Sequence, residues 1–148
     1  MLIKKKVERN YEFDVALSFA GEQREYVERV AYKLESKGVK VFYDKFKNSQ
    51  LWGKNLPEYL QAVYYSKSRF CIMFISIAYL KKMWPTHERK SATARDLEEF
   101  GDYILPVIFE EVDIPGLDKY RGYLDARKIG PDQVVEIFLK KLELDEQT

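Results

Sequence analysis

The feature that most restricts this chain is a repeated change of period. Short runs with scarcely a polar residue alternate with stretches in which apolar residues recur every three or four positions. The runs are Phe13-Asp14-Val15-Ala16-Leu17-Ser18-Phe19, Val39 to Tyr43, Phe70 to Ile75 and Tyr103 to Phe109. A strand reads as continuously apolar when both its faces are covered, the situation of a parallel sheet between helices. Phe70 to Ile75 is the most apolar and is expected at the sheet centre. Between the runs, Tyr26, Val27, Val30, Ala31 and Leu34 share one helical face that stops at Gly38, a residue suited to a left-handed cap. Leu56, Leu60, Val63 and Tyr64 predict a short helix entered through Asn55 and Pro57. Ala78 to Met83 is weakly helical, Pro85 interrupts, and Thr86 to Phe100 resumes as a charged helix ending at Gly101. Val134, Val135, Ile137, Phe138, Leu139 and Leu142 form a closing helix.

Tyr120 to Leu124 reads as a fifth strand, and Pro106 places the fourth near an edge. Strands joined by helical crossovers pair in parallel with right-handed connections. The expected fold is therefore α/β: a flavodoxin-like, doubly wound, parallel five-stranded sheet of order 2-1-3-4-5 with helices on both faces. Ligands of such sheets bind outside the carboxyl ends of the strands. That groups Phe19 to Gly21, Asp44 and Ser76 around one crevice. Asp44 to Lys54 breaks all periodicity and is expected as a long exposed loop carrying Trp52. Residues 1–10 read as a basic N-terminal arm with Lys4-Lys5-Lys6 in solvent, residues 11–142 as one domain, and residues 143–148 as a polar, fraying tail.

Composition narrows the chemistry. The 148 residues carry 25 Lys and Arg against 24 Asp and Glu, a net charge of +1, so no global field draws the chain to nucleic acid or to a membrane. His87 and Cys71 are the only residues of their types. Multi-histidine metal sites, disulfides within the chain and CxxC motifs are thereby excluded, and no metal ligands are expected. No apolar run approaches the ~18 residues needed to span a bilayer, and a cytoplasmic location is expected. The seven glycines never form GxGxxG, and Gly53-Lys54 lacks the upstream glycine of a P-loop. A receiver domain would need a phospho-accepting Asp where the third strand ends in Ile75-Ser76.

Trp84-Pro85-Thr86-His87-Glu88 is the most unusual local sequence. Trp84 and Glu88 are four apart and share a helical face where the segment is helical. Pro85 suits the first helical position, which puts Glu88 in the first turn, where the positive helix end keeps a carboxylate ionised. A carboxylate beside an indole suits a cationic transition state such as the oxocarbenium ion of glycosidic cleavage. The same spacing serves ordinary helix capping by Glu88 with Trp84 buried, and spacing leaves both readings open. His87 points roughly 100° away from Glu88 on a helix and is expected at the surface. Cys71 is expected as a small buried hydrophobe. Asp44 either anchors its loop or contacts a ligand; Trp52 either packs on the fold or offers a stacking platform.

Taken in order, these motifs resemble a TIR domain over nearly the whole chain, from Tyr11 to about Leu142. They are the opening strand followed by Ala20-Gly21-Glu22, Val41-Phe42-Tyr43-Asp44 leading into the BB loop, Leu51-Trp52-Gly53-Lys54, the strand ending Phe74-Ile75-Ser76, Trp84 to Glu88, and Ile104-Leu105-Pro106-Val107. The chain is similar to bacterial TIR proteins, and among them to members that consume NAD⁺. The resemblance implies that Glu88 is the catalytic residue, with Trp84 its companion, in cleavage of the nicotinamide–ribose bond. Capture by water gives ADP-ribose, and internal attack gives a cyclic ADP-ribose isomer. It further implies that Ser18, Phe19 and Ala20 line the nucleotide side and that Asp44, Lys47 and Trp52 shape the pocket or touch a neighbouring subunit. NAD⁺ is then substrate, with no cofactor required. Assembly is expected through TIR–TIR contacts that include the BB loop, in bacterial antiphage signalling. The chain has Ala20-Gly21 where animal relatives place arginines, and Arg24 is the candidate substitute for holding phosphates. The alternatives are a non-catalytic TIR interaction module and an enzyme similar to nucleoside deoxyribosyltransferases.

Overall fold

The computed structural model describes residues 10–82, 86–98, 101–118 and 120–147, the side chains of 86–91 excepted. The strands are β1 (Phe13–Ser18), β2 (Val41–Phe42), β3 (Ser68–Ile75), β4 (Ile104–Ile108) and β5 (Leu124–Asp125). The helices are α1 (Arg24–Ser36), α2 (Asn48–Leu51), α3 (Leu56–Ala62), α4 (Ile77–Lys81), α5 (Thr86–Glu98) and α6 (Pro131–Glu146). All strand pairs are parallel, and the order is β2-β1-β3-β4-β5, as expected from the alternation of periods.

Alternate residues of β3 explain why its sequence is uninterrupted by polar groups. Phe70, Ile72 and Phe74 face a core closed by Val27, Val30 and Leu34 of α1 and Val134, Val135 and Phe138 of α6. Cys71, Met73 and Ile75 face the opposite core, closed by Val63, Tyr64, Tyr79 and Ala92. Each large apolar side chain so buried contributes roughly 1.5–3 kcal/mol, which fixes the strand centrally. Cys71 is buried, and desolvation pushes its thiol pKa well above the usual value, as befits an inert packing residue.

Both edge strands are shorter than the pattern implies. β2 keeps two residues: before it the Asp14 carboxylate takes the Lys40 N–H at 2.8 Å, and after it the extended Tyr43 leads into a 3₁₀ turn that starts at Asp44. β5 is Leu124–Asp125 rather than Tyr120 to Leu124. Asp118 holds residues 120 and 121 in a turn, its side chain accepting from the Tyr120 N–H and its carbonyl from the Arg121 N–H. Pro106 is not at an edge: β4 lies between β3 and β5, with Pro106 opposite Met73. The Phe109 N–H bonds Ile75 of β3, so by strand alternation the missing N–H of residue 106 faces the β5 side, where pairing starts only at Val107.

The segment after β2 is also more regular than expected. A 3₁₀ turn, Asp44–Lys47, leads directly into α2. The Phe46 ring packs edge-on to Tyr43 and Tyr32 at 5.0 and 5.1 Å, which anchors this polar stretch. A five-residue π-helix, Val63–Lys67, follows α3. At the C-terminus α6 runs past Leu142 to Glu146, and Asp145 pairs with Arg69 at the start of β3, Nε to Oδ2 2.8 Å. Residues 143–146 are thus the last turn of a docked helix rather than a frayed tail. The Lys4-Lys5-Lys6 arm lies outside the described residues.

Candidate functional site

The carboxyl ends of β1, β2 and β3 converge on one rim. β1 leaves the sheet at Ser18 and passes through Phe19 and Ala20 into a 3₁₀ turn, Gly21–Gln23, that opens α1. Ser18 is 1% exposed, and its hydroxyl lies 2.7 Å from that of Tyr79 on α4. Burial raises the Tyr79 pKa well beyond its ordinary value, so the pair is a neutral hydroxyl contact. Ser76 follows β3 and caps α4: its Oγ accepts the Tyr79 N–H at 2.9 Å and donates to the Gln23 side chain at 3.0 Å. Two hydroxyl contacts therefore tie the exit of β1 to the exit of β3.

A second cluster joins β1 to the segment after β2. Arg24 directs its fork at Asp44, with Nη1–Oδ1 3.1 Å and Nη2–Oδ2 2.9 Å, and also donates to the Tyr43 hydroxyl at 2.8 Å. Its guanidinium lies 5.0 Å over the Phe19 ring, which stacks on Tyr43 with centroids 5.8 Å apart. The Asp44 carboxylate, foremost, raises the Arg24 pKa, so the guanidinium stays charged at any working pH. Asp44 also accepts the Lys45 N–H at 2.8 Å, and Lys45 pairs with Glu28. On the rim beyond, Lys82 and Glu22 form an ion pair.

The structure thus brings Ser18, Phe19, Ala20 and Asp44 together, together with Arg24. Ser18 and Ala20 are buried, and of the three residues 18–20 only Phe19 is partly exposed. Lys47 is not in this group: its ammonium lies 5.4 Å from the Phe13 ring, at the amino end of β1. Trp52 follows α2 and is 90% exposed. Glu88 falls in the first turn of α5, where the Pro85 pattern placed it, while its side chain and Trp84 lie outside the described residues. Tyr79, Gln23 and the Ser76 cap link carry much of the rim's hydrogen bonding, and the sequence reading did not assign them that role. The signal for the cap was present, a Ser directly before a helical stretch.

Two concavities flank this frame. One, about 330 Å³, lies at the carboxyl-end rim between Glu22, Tyr26, Arg29 and Phe109. The larger, about 460 Å³, is an apolar cleft lined by Leu105, Val107, Leu124, Ile137 and Phe138. It exists because β5 covers so little of β4, and it lies away from the crevice. Among the described residues no group of three or more His, Cys, Asp and Glu side chains stands where it could hold a metal ion.

An all-parallel 2-1-3-4-5 sheet, wound on both faces and with its polar rim at the strand carboxyl ends, defines a flavodoxin-like α/β domain. Within that class the chain belongs to the TIR domain family, whose model matches residues 15–138. It is 50% identical over 138 residues to the 3′ cyclic ADP-D-ribose synthase AaTIR of Aquimarina amphilecti, covering 93% of this chain and 42% of that protein. It is 35% identical over 105 residues to the NAD(+) hydrolase TcpA of Theionarchaea archaeon (strain DG-70-1), covering 70% of this chain and 31% of the relative. The chain thus spans less than half the length of these two curated relatives. Among solved structures it resembles the TIR domain of the Toll-related receptor TRR-2 from Hydra magnipapillata, with a TM-score of 0.61, 22% identity, and coverage of 92% of this chain and 99% of that one.

Proposed function

We propose that this domain cleaves the nicotinamide–ribose bond of NAD⁺, releasing nicotinamide and either ADP-ribose or a cyclic ADP-ribose isomer. The observation that carries the reading is the 50% identity across 93% of the chain with a cyclic ADP-ribose synthase. The placement of Glu88 in the first turn of α5 supports it. A helix N-terminus favours an ionised carboxylate. As the C–N bond breaks, its electron pair returns to the pyridinium nitrogen, nicotinamide leaves neutral and the positive charge passes to an oxocarbenium-like ribose; a carboxylate held beside it lowers that barrier without metal, thiol or imidazole. In this reading Glu88 contacts the ribose and steadies its cationic state, with Trp84 flanking it. Capture by water, which gives up a proton, yields the linear product, and attack by another part of the nucleotide yields the cyclic one.

Phe19 and the Ser18–Ala20 backbone form the nucleotide side, and Arg24 stands by them as the cation for phosphates. Asp44, Lys47 and Trp52 belong to the BB loop, which closes the pocket or meets a second copy of the chain. The 90% exposure of Trp52 favours that contact, since a large indole left in water gains by burial in an assembly. The setting proposed is cytoplasmic antiphage signalling; among the described residues no helix is long and apolar enough to cross a membrane. Incubating concentrated protein with NAD⁺ and following nicotinamide by mass spectrometry tests the proposal. A scaffold without chemistry would assemble with rising concentration, lose assembly on Trp52→Ala, and leave NAD⁺ intact.

A further inference from the structure

Helix α5 (THERKSATARDLE) is an unusual element to seat against a core. Among its described side chains the buried ones are Ala92, Arg95 and Asp96: one methyl group and two ionic residues. Over residues 92–98 its seat is therefore set by directional polar bonds rather than by an apolar stripe. Arg95, 1% exposed, lies 4.0 Å over the Tyr103 ring and donates to the Tyr65 carbonyl of the π-helix at 3.1 Å. Asp96, 3% exposed, faces the other way. Its Oδ1 accepts from the Ile104 N–H at 2.8 Å and from Arg121 Nη1 at 2.7 Å, and its Oδ2 accepts from Arg121 Nη2.

Arg121 completes the arrangement by donating to the Ile104 carbonyl at 3.3 Å. Both backbone polar groups of the first residue of β4 are thus held by this pair. The chain is shaped around it: Gly101 has φ +82°, sends its N–H to the Asp96 carbonyl at 2.8 Å, and a Cβ there would meet Arg121 Nη2 at 3.0 Å. A buried ion pair is not the most stable filling for such a site, because apolar residues of similar volume often hold a fold as well or better. What the pair adds is a single seat. Bidentate geometry between two planar groups permits one register, whereas methyl-lined packing permits several.

We propose that Asp96 and Arg121 are positioning residues of the nucleosidase reaction: their ion pair fixes the seat of the helix whose first turn carries Glu88. The inference rests on the function proposed above. Glu88 is eight residues upstream, about 12 Å along a helix that moves as a rigid rod. A slip at Asp96 therefore displaces Glu88, and a misplacement of about 1 Å at a reacting centre costs on the order of 10²-fold in rate.

The test compares three proteins with wild type on NAD⁺. In Asp96→Asn/Arg121→Met the acceptor for the Ile104 N–H is kept while the ion pair is removed. Arg121→Lys keeps the charge and loses the fork. Glu88→Gln reports on the reaction itself. The expected result for the double variant is a kcat lower by roughly 10- to 100-fold, KM within about twofold, and a thermal midpoint within a few degrees of wild type. Arg121→Lys should fall between it and wild type in kcat, again at an unchanged midpoint. Wild-type kcat in the folded double variant, or a loss only in proportion to the fraction unfolded, overturns the proposal. Should the double variant fail to fold, Arg121→Lys decides alone: wild-type kcat overturns the proposal, and reduced kcat at an unchanged midpoint supports it. If Glu88→Gln is inactive while the double variant keeps wild-type kcat, only the positioning role falls. If Glu88→Gln keeps wild-type rates, the catalytic assignment falls and this inference with it.

Discussion

The Arg24–Asp44 pair closes the segment after β2 onto the exit of β1, and its strength can be worked out before it is measured. At a charge separation near 4 Å the Coulomb energy is about 1 kcal/mol in water and about 4 kcal/mol at an effective dielectric constant of 20. The two side chains are 37% and 47% exposed, so the water limit is the relevant one. Exposed pairs typically couple by roughly 0.2–1 kcal/mol, and the two-pronged contact here belongs at the upper end, about 1 kcal/mol. Arg24→Met also removes the stack over Phe19, a cation–π contact of about 0.5–1 kcal/mol at exposed sites. Its total cost should therefore exceed that of Asp44→Ala. The assay is a double-mutant cycle: urea unfolding of wild type, Arg24→Met, Asp44→Ala and the double variant, at low salt and in 1 M NaCl. With a Debye length of about 3 Å at 1 M, most of the coupling should vanish at high salt. A low-salt coupling below about 0.3 kcal/mol, or one indifferent to salt, would show that this pair does not fasten the loop.

Two further outcomes follow from the same rim and surface. Ser76→Ala removes the α4 cap and the bond to Gln23; a lost cap costs about 1 kcal/mol, which at this size lowers the thermal midpoint by about 2–4 °C. A midpoint unchanged by Ser76→Ala would deny the cap a role in stability. Acid should also weaken the fold in a defined window. Lys82 holds the Glu22 pKa below its ordinary 4.5, Lys45 holds Glu28 below 4.5, and Arg127 holds Asp125 below 3.8. Groups whose pKa is depressed by folding add stability above their ordinary values and lose it as pH falls through the folded ones. The urea midpoint should be flat from neutral pH down to about 5 and then fall, less steeply in Glu28→Gln. A midpoint that rises with acidification would contradict these assignments.

Sheet order and the two cores were legible because β1 and β3 are apolar on both faces, a pattern that few other environments produce. The edges were not. Val39 to Tyr43 and Tyr120 to Leu124 have strand-forming side chains, yet Asp14 diverts the Lys40 N–H and Asp118 folds residues 120 and 121 into a turn. The first diversion depends on a carboxylate arriving from another strand, of which periodicity carries no trace; the second is a local Asp turn, which a reading by period alone passes over. The helix over Thr86–Glu98 was readable as the charged stretch that resumes after Pro85. The Ser18–Tyr79 contact joins positions 61 apart and the Arg121–Asp96 pair positions 25 apart, so spacing gave no hint of either. Lys47 was grouped with Asp44 by its place in the loop. The 3₁₀ turn instead sends its ammonium over Phe13.

The central claim is that one carboxylate, Glu88, does the chemistry in this frame. The most direct measurement quantifies nicotinamide and the ribose-containing product together, by mass spectrometry, for wild type and Glu88→Gln at matched high protein concentration and matched assembly state. Wild type should release nicotinamide and an ADP-ribose species in equal amounts. Glu88→Gln should be slower by on the order of 10²-fold or more, the scale of losing a charge-stabilising group in an active site. Equal rates for the two proteins, or NAD⁺ left intact by concentrated and assembled wild type, would contradict the account.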